Sequence, residues 1–216
     1  MLFRSVIGII AGGDGALRKS SEGKEDDFNG AAADLDALQL TPLDIILGIA
    51  AGGTTPYPLG ALAHAKSAFS FASHPPSDIA HPTSPLTALL TCTPIPRPPA
   101  ADHLIVLETG PELLTGSTRL KAGTATKLAL NTISTTLMIQ SGRVYENLMV
   151  DLRASNDKLR DRAARIIATL TDLSRDESFA LLDRAGGSAK TAIVMHRQNV
   201  DLSEAVRWLS GDSRTL

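Results

Sequence analysis

Three glycine-rich segments of the chain contain the residue types that bind anions. They are Gly12–Gly15, Gly52–Pro56 and Thr115–Gly123. Glycine lets a backbone approach a ligand closely, and the N–H groups at the start of a helix attract negative charge. The third segment precedes a long helical pattern and suits a phosphate group, although the same residue types also serve as ordinary turn and N-cap residues. Its polar candidates are Ser117, Thr118, Arg119 and Lys121.

An acidic run follows the first of these segments. Residues 22–27 read Glu-Gly-Lys-Glu-Asp-Asp. A carboxylate beside a bound sugar phosphate can act as an acid or a base. Such a run is more often a solvated loop, and composition by itself favours that interpretation. The acidic run is therefore a candidate whose role depends on what lies next to it in the fold.

The usual signals for nucleotides and metals are missing from the sequence. It contains neither GxGxxG nor GxxxxGK[ST], so nucleotide binding lacks its typical motifs. The five histidines have no metal-ligand spacing, and the single cysteine, Cys92, excludes a multi-cysteine zinc site. We therefore expect no metal ion to be bound.

Composition sets further limits. The 216 residues are 43% hydrophobic and 20% charged, which are globular values. With 21 basic and 23 acidic residues the net charge is −2, so we expect no nucleic-acid partner. No apolar run approaches the roughly 20 residues that span a bilayer, so we expect no membrane insertion. One cysteine fits a reducing compartment, and the cytoplasm is the expected location.

The candidate residues belong to a pattern of strands that alternate with helices. Strands are predicted at Val6–Ala11, Asp44–Ala51, Thr87–Cys92 and His103–Leu107, and helices follow the first two. This order predicts an α/β fold with a doubly wound parallel sheet, helices on both faces and right-handed crossovers. In such sheets, ligands bind at the carboxyl ends of the strands.

Two other regions complete the predicted organisation. Residues 67–99 are rich in proline and predict an irregular surface insertion around one short strand, with a polyproline docking site as the alternative. The last part of the chain predicts a helical segment, so we divide the chain into domains at 1–150 and 151–216. Its helices are predicted at 156–170, after the capping box Ser174–Glu177, at 189–196 and at 201–209, behind an earlier helix at 124–140.

Residues 109–128 carry a long and specific resemblance. They read TGPELLTGSTRLKAGTATKL. This string resembles the N-acetylmuramic acid 6-phosphate etherase family, a branch of the sugar isomerase (SIS) domain proteins that also includes the glucokinase regulatory protein. The resemblance covers most of the chain except residues 67–99. Further matching strings are IAGG at 10–13, EGKED at 22–26, GIAA at 48–51, TPY at 55–57 and NLMVD at 147–151.

The resemblance implies a flavodoxin-like SIS fold and a specific reaction. The family cleaves the D-lactyl ether of N-acetylmuramic acid 6-phosphate by elimination and hydration, giving N-acetylglucosamine 6-phosphate and D-lactate without a metal or redox cofactor. Glu25 matches the second of two family glutamates and is expected to be the base or the water-activating group. The first lies in the family after an upstream GTSGRLG loop that has no counterpart here, so we expect a shortened copy whose sheet lacks one strand.

The expected phosphate site departs from the family pattern. The family reads AASGRTPY where residues 50–57 read AAGGTTPY, so Gly52 replaces a serine and Thr54 replaces an arginine. The resemblance implies a phosphorylated amino sugar as ligand and a homodimer as assembly. The alternatives are a non-catalytic sugar-phosphate-binding regulator of the glucokinase regulatory type and a truncated copy with neither activity. The expected phosphate-binding residues are Gly52, Gly53, Thr54, Thr55, Ser117, Thr118, Arg119 and Lys121.

Overall fold

A computed structural model describes residues 6–69 and 82–211. The chain divides into two compact units, one running to Ala129 and the other beginning at Leu130. The domain boundary expected near residue 150 stays a prediction. Among the described residues, none of the helices is both long enough and apolar enough to cross a membrane.

The first unit is built on a parallel sheet. Its strands are β1 (Ile45–Ile49), β2 (Leu86–Thr91) and β3 (His103–Val106), in the order β1-β2-β3. All three were predicted from the sequence, and the parallel α/β arrangement is confirmed. The middle strand, β2, is almost wholly buried, as apolar strands of parallel sheets are. The short strand that was expected within the surface insertion at residues 67–99 is therefore the central strand of the sheet. Residues 70–81 of that insertion lie outside the described residues.

The strand predicted at Val6–Ala11 is wrong. The described part of this segment is irregular, Val6 and Ile7 are 55% and 58% exposed, and a 3-10 helix at Gly13–Leu17 follows it instead of an α-helix. A strand needs a neighbour to satisfy its N–H and C=O groups. No described strand pairs with this segment or with the outer edge of β1. The segment therefore does not form a strand, although its residue types favour one.

Two α-helices lie wholly within the first unit. They are α1 (Ala32–Ala37) and α2 (Pro56–Ser67). Pro56 occupies the first position of α2. Proline is suited to this position because the N–H that it lacks would have no intrahelical partner there. Leu62 of α2 is fully buried and packs in a cluster with Leu89 of β2. The start of α2 follows the turn that leaves β1, and this packing holds the helix against the sheet.

A charged pair links α2 to the sheet. The Lys66 Nζ atom lies 2.7 Å from Asp102 Oδ2, and the same oxygen accepts a hydrogen bond of 2.8 Å from the Thr87 amide. The Lys66 ammonium, followed by the Thr87 amide, lowers the pKa of Asp102 to about 2. The Asp102 side chain is 38% exposed, so solvent screens part of the attraction.

We expect this pair to make stability depend on pH in the acid range. The folded pKa of Asp102 lies below the unfolded value of about 3.9, so its contribution is complete above about pH 4 and is lost as the pH falls through 2. Urea midpoints of wild type and Asp102→Asn should therefore differ at pH 5 and converge towards pH 2. A difference that stays constant over this range would contradict the assignment.

The second unit is a helical bundle. α3 (Lys121–Gln140) runs from the first unit into it, and the short hairpin of β4 (Val144–Tyr145) and β5 (Leu148–Met149) follows. The predicted capping box is confirmed, with the Ser174 side chain accepting from the Glu177 amide and Glu177 reaching back. Buried apolar side chains, Ile167, Leu182 and Ile193 among them, form its core. Its further helices are α4 (Asp157–Thr171), α5 (Arg175–Arg184), α6 (Ala189–Gln198) and α7 (Leu202–Gly211).

Candidate functional site

A cavity of about 810 Å³ lies in the first unit beside β1. β1 and the turn after it line one side, and Ile7, Ile9 and Ile10 of the irregular opening segment line another. None of the described residues of β2 contributes, so the cavity lies on the side of β1 that faces away from its partner. The start of α2 also lines it, which brings the cavity to the carboxyl end of the strand.

The cavity gathers candidates from three distant parts of the sequence. Glu25 comes from the acidic run, Gly52 and Thr55 from the turn after β1, and Thr118 from the loop before α3. The other phosphate-binding candidates are not among the lining residues, and the roles of all of them stay predictions. These other candidates are Gly53, Thr54, Ser117, Arg119 and Lys121.

Glu25 is held in place through its backbone. Its carbonyl oxygen accepts a hydrogen bond of 3.0 Å from the amide of Tyr57, in the first turn of α2. Gly60 packs against the backbone of Phe28, where an added Cβ would overlap the carbonyl group. Gly30 packs against the Tyr57 ring in the same way, since a Cβ there would lie 2.9 Å from two ring carbons. The acidic segment therefore lies directly on α2, and this contact brings Glu25 to the cavity.

The turn after β1 is fixed by the neighbouring strand. The Ala50 amide donates to the Leu90 carbonyl at 3.0 Å, and the Cys92 amide donates to the Ala51 carbonyl at 2.9 Å. Gly53 has a φ of +75°, a conformation that L side chains rarely adopt. Thr55 is the N-cap of α2, yet its side chain makes no capping hydrogen bond. Its hydroxyl is therefore not committed to the helix and can serve a ligand in the cavity.

The loop before α3 is closed by a residue that the sequence did not identify as structural. Glu112 Oε2 accepts a hydrogen bond from the Lys121 amide and Oε1 accepts one from the Ala122 amide, each at 2.9 Å. These bonds lower the pKa of Glu112, so the group is ionised at neutral pH. Both of its oxygens are engaged, which makes Glu112 a poor proton donor. No local pattern links a glutamate to amides nine and ten residues away.

Most amides around Ser117 and Thr118 already have acceptors. The Ser117 amide donates to the Leu114 carbonyl at 3.0 Å, the Thr118 amide to the Gly116 carbonyl at 3.0 Å, and the Leu120 amide to the Ser117 carbonyl at 3.1 Å. Together with Glu112, these bonds use the donors that the start of a helix otherwise offers to an anion. A phosphate here would rely on hydroxyls and cations of the side chains.

The acidic groups of the cavity lie at different places along β1. Asp44 lines the cavity just before β1, and its Oδ2 accepts hydrogen bonds from the amide and hydroxyl of Thr41 at 2.7 and 2.9 Å. Among the described lining residues, Glu25 is the acidic residue next to the turn after β1. Within the described part of the chain, no group of three or more histidine, cysteine, aspartate or glutamate residues is placed to hold a metal ion.

Comparison with known proteins agrees with the motifs. Residues 4–66 match the family model of the glucokinase regulatory protein N-terminal SIS domain. Proteins named N-acetylmuramic acid 6-phosphate etherase from Gloeobacter violaceus and Deinococcus radiodurans are 48% and 42% identical to the chain, over 91% and 94% of its residues. These alignments cover 60% and 62% of the two relatives, so the chain spans about three fifths of their length. The chain is therefore a homologue of the N-acetylmuramic acid 6-phosphate etherases along about nine tenths of its own residues, which confirms the resemblance that its motifs indicate.

Proposed function

We propose that the cavity beside β1 binds a phosphorylated amino sugar and that the chain cleaves the D-lactyl ether of N-acetylmuramic acid 6-phosphate. The observation that carries this proposal is the placement of Glu25 on the cavity wall with Gly52, Thr55 and Thr118. The etherases to which the chain is similar act, by their name, on this compound. A carboxylate next to hydroxyl groups and a glycine turn is what an acid–base reaction on a sugar phosphate requires.

The proposed reaction has two steps. A base removes the proton from C2 of the open-chain aldehyde, the C3–O bond breaks, and the lactate oxygen takes up a proton as it leaves. Water then adds across the C2=C3 bond, placing a hydroxyl on C3 and a proton on C2. The Glu25 carboxylate takes the C2 proton or activates the water. A second group must protonate the leaving lactate, and Glu112 is unsuited to this because both of its oxygens accept amide hydrogens.

We assign the phosphate to the hydroxyl groups of the two loops. Thr55 and Thr118 line the cavity, and Thr54, Ser117, Arg119 and Lys121 stand next to them in sequence. Replacing Ser117 and Thr118 together with alanine should weaken binding of N-acetylglucosamine 6-phosphate by about tenfold or more, because hydrogen bonds to a charged group contribute about 1.5–3 kcal/mol. Calorimetric titration measures this. Thr115→Ala, in the same loop but off the cavity, is the matched control, and equal affinities of all three proteins would contradict the assignment.

The proposed activity is tested by release of D-lactate from N-acetylmuramic acid 6-phosphate. Release above the uncatalysed rate, with loss of that release in Glu25→Gln, supports the proposal. A protein that neither binds N-acetylglucosamine 6-phosphate nor releases lactate would overturn it.

A regulatory role is the second candidate. The matching family model is that of the glucokinase regulatory protein, and one acidic residue lies near the turn after β1 among the described cavity residues. The two functions give different results in the same assay. Tight binding of the sugar phosphate without any lactate release would favour the regulator.

Three finer properties complete the proposal. We propose a doubly wound sheet with helices on both faces, because strands and helices alternate in the first unit. We propose a homodimer, which the family resemblance implies, and no nucleic-acid partner, since the net charge is −2. We propose a cytoplasmic location, which fits the single, buried and free thiol of Cys92.

A further inference from the structure

We propose that Glu112 is a positioning residue, which fixes the loop of residues 113–120 so that Thr118 lies on the wall of the cavity. This inference rests on the proposed function, because the site that it serves is the sugar-phosphate site. It concerns a residue that touches neither the cavity nor the proposed ligand. Its effect is transmitted through the loop.

The two ends of the loop are joined by hydrogen bonds between residues that are nine and ten positions apart in sequence. The Glu112 carboxylate binds the amides of Lys121 and Ala122, which joins the residue before the loop to the residues after it. Both bonds are charge-assisted, and the carboxylate lies at the positive end of the 20-residue helix α3. Glu112 therefore sets the distance between the two ends of the loop.

Within the described residues, few other contacts restrain the loop. In the described residues, the other backbone hydrogen bonds of the loop join residues only two to five positions apart, such as Ser117 to Leu114 and Gly123 to Thr118. Leu113 and Leu114 are 90% and 61% exposed, so the tip of the loop buries little apolar surface. A loop with few packed contacts opens at low free energy unless a specific bond restrains it. The restraint here is the carboxylate of Glu112.

The two amide donors require two acceptors. A carboxylate supplies both oxygens, whereas the amide of glutamine supplies one oxygen and turns an NH₂ group towards a second donor. Glu112→Gln keeps the size of the side chain but loses at least one bond and the charge at the helix start. Glu108 provides a matched control, because it is an exposed glutamate of the same connection and makes the same change of charge on replacement with glutamine.

The test is a double-mutant cycle between Glu112 and Thr118. N-acetylglucosamine 6-phosphate is titrated by calorimetry into wild type, Glu112→Gln, Thr118→Ala and the double variant, with Glu108→Gln as control. We expect Glu112→Gln to weaken binding about tenfold in the wild-type background and less than twofold in the Thr118→Ala background, because Glu112 acts through Thr118. The control should bind like wild type. Equal losses in the two backgrounds would show that Glu112 does not act through Thr118 and would overturn the inference.

A second measurement needs no ligand. Amide hydrogen exchange should become faster in Glu112→Gln at residues 113–122 and stay unchanged in β1–β3. If wild type does not bind the sugar phosphate, the proposed function fails and exchange decides the inference by itself. Faster exchange confined to the loop would then support a positioning role for Glu112, and unchanged exchange would refute it.

Discussion

The 216-residue chain should release D-lactate from N-acetylmuramic acid 6-phosphate at least about 100-fold more slowly than the Gloeobacter violaceus etherase. Elimination needs one group to take the C2 proton and another to protonate the departing lactate. Among the described cavity residues, Glu25 is the carboxylate beside the turn after β1, and Asp44 lies before β1 with an oxygen bound to Thr41. Acid or base assistance contributes about 10²- to 10⁴-fold in rate, so a missing partner costs about that factor.

The rate that remains should depend on Glu25. Glu25→Gln keeps the shape of the side chain but cannot accept a proton, so release should fall to the uncatalysed rate. Asp26→Asn, the neighbouring acidic residue, is the matched control and should keep the rate of wild type. A chimera that adds the part of the Gloeobacter violaceus protein that this chain does not match should recover activity, and Glu25→Gln in that chimera should remove it again.

Rapid release by the unmodified chain would contradict this account. It would mean that another group supplies the second proton transfer, with Asp26 as the nearest candidate in sequence. Glu112 would then have to leave the amides of Lys121 and Ala122 before it could act. The Asp26→Asn and Glu112→Gln variants distinguish these two explanations, since only the residue that supplies the proton should lower the rate by 10²-fold or more.

Local signals explain what the sequence predicted correctly in the second unit. A helix start depends on residues within one turn, so the Ser174–Glu177 capping box is visible in the sequence and present in the structure. The same holds for Asn156, whose side chain accepts from the Leu159 amide at the start of α4. Helix positions in this unit therefore follow from short patterns of residues.

Strand pairing depends on partners, which explains the error at the start of the chain. Val6–Ala11 has the composition of a buried strand, but pairing requires a neighbour that lies far away in sequence or is contributed by another segment. The candidate site was partly predictable for a related reason. Carboxyl ends of parallel strands gather ligand groups, which anticipates the Gly52–Thr55 turn, whereas the nine-residue reach of Glu112 has no sequence signature.

The close contact at Gly60 could not be predicted from the sequence either. An isolated glycine inside a helix lowers helix stability by only about 1 kcal/mol relative to alanine, and such a glycine has several explanations. In the structure, the Phe28 carbonyl occupies the space where a Cβ of residue 60 would lie. The overlapping atom belongs to the backbone and cannot rotate away. The segment that carries Glu25 would therefore have to move off α2.

We expect Gly60→Ala to destabilise the protein by about 1–3 kcal/mol, although alanine is otherwise the better helix former, since overpacking of a tight contact outweighs the gain in propensity. Gly123→Ala in α3 is the matched control, because an added Cβ there meets its nearest neighbour, the Thr118 carbonyl oxygen, at an ordinary 3.4 Å. That variant should keep or gain stability in urea unfolding. The displacement of Glu25 should also remove lactate release from Gly60→Ala under conditions where it is still folded. Full stability together with an unchanged rate would show that the Phe28 segment does not need its close contact with α2 to place Glu25.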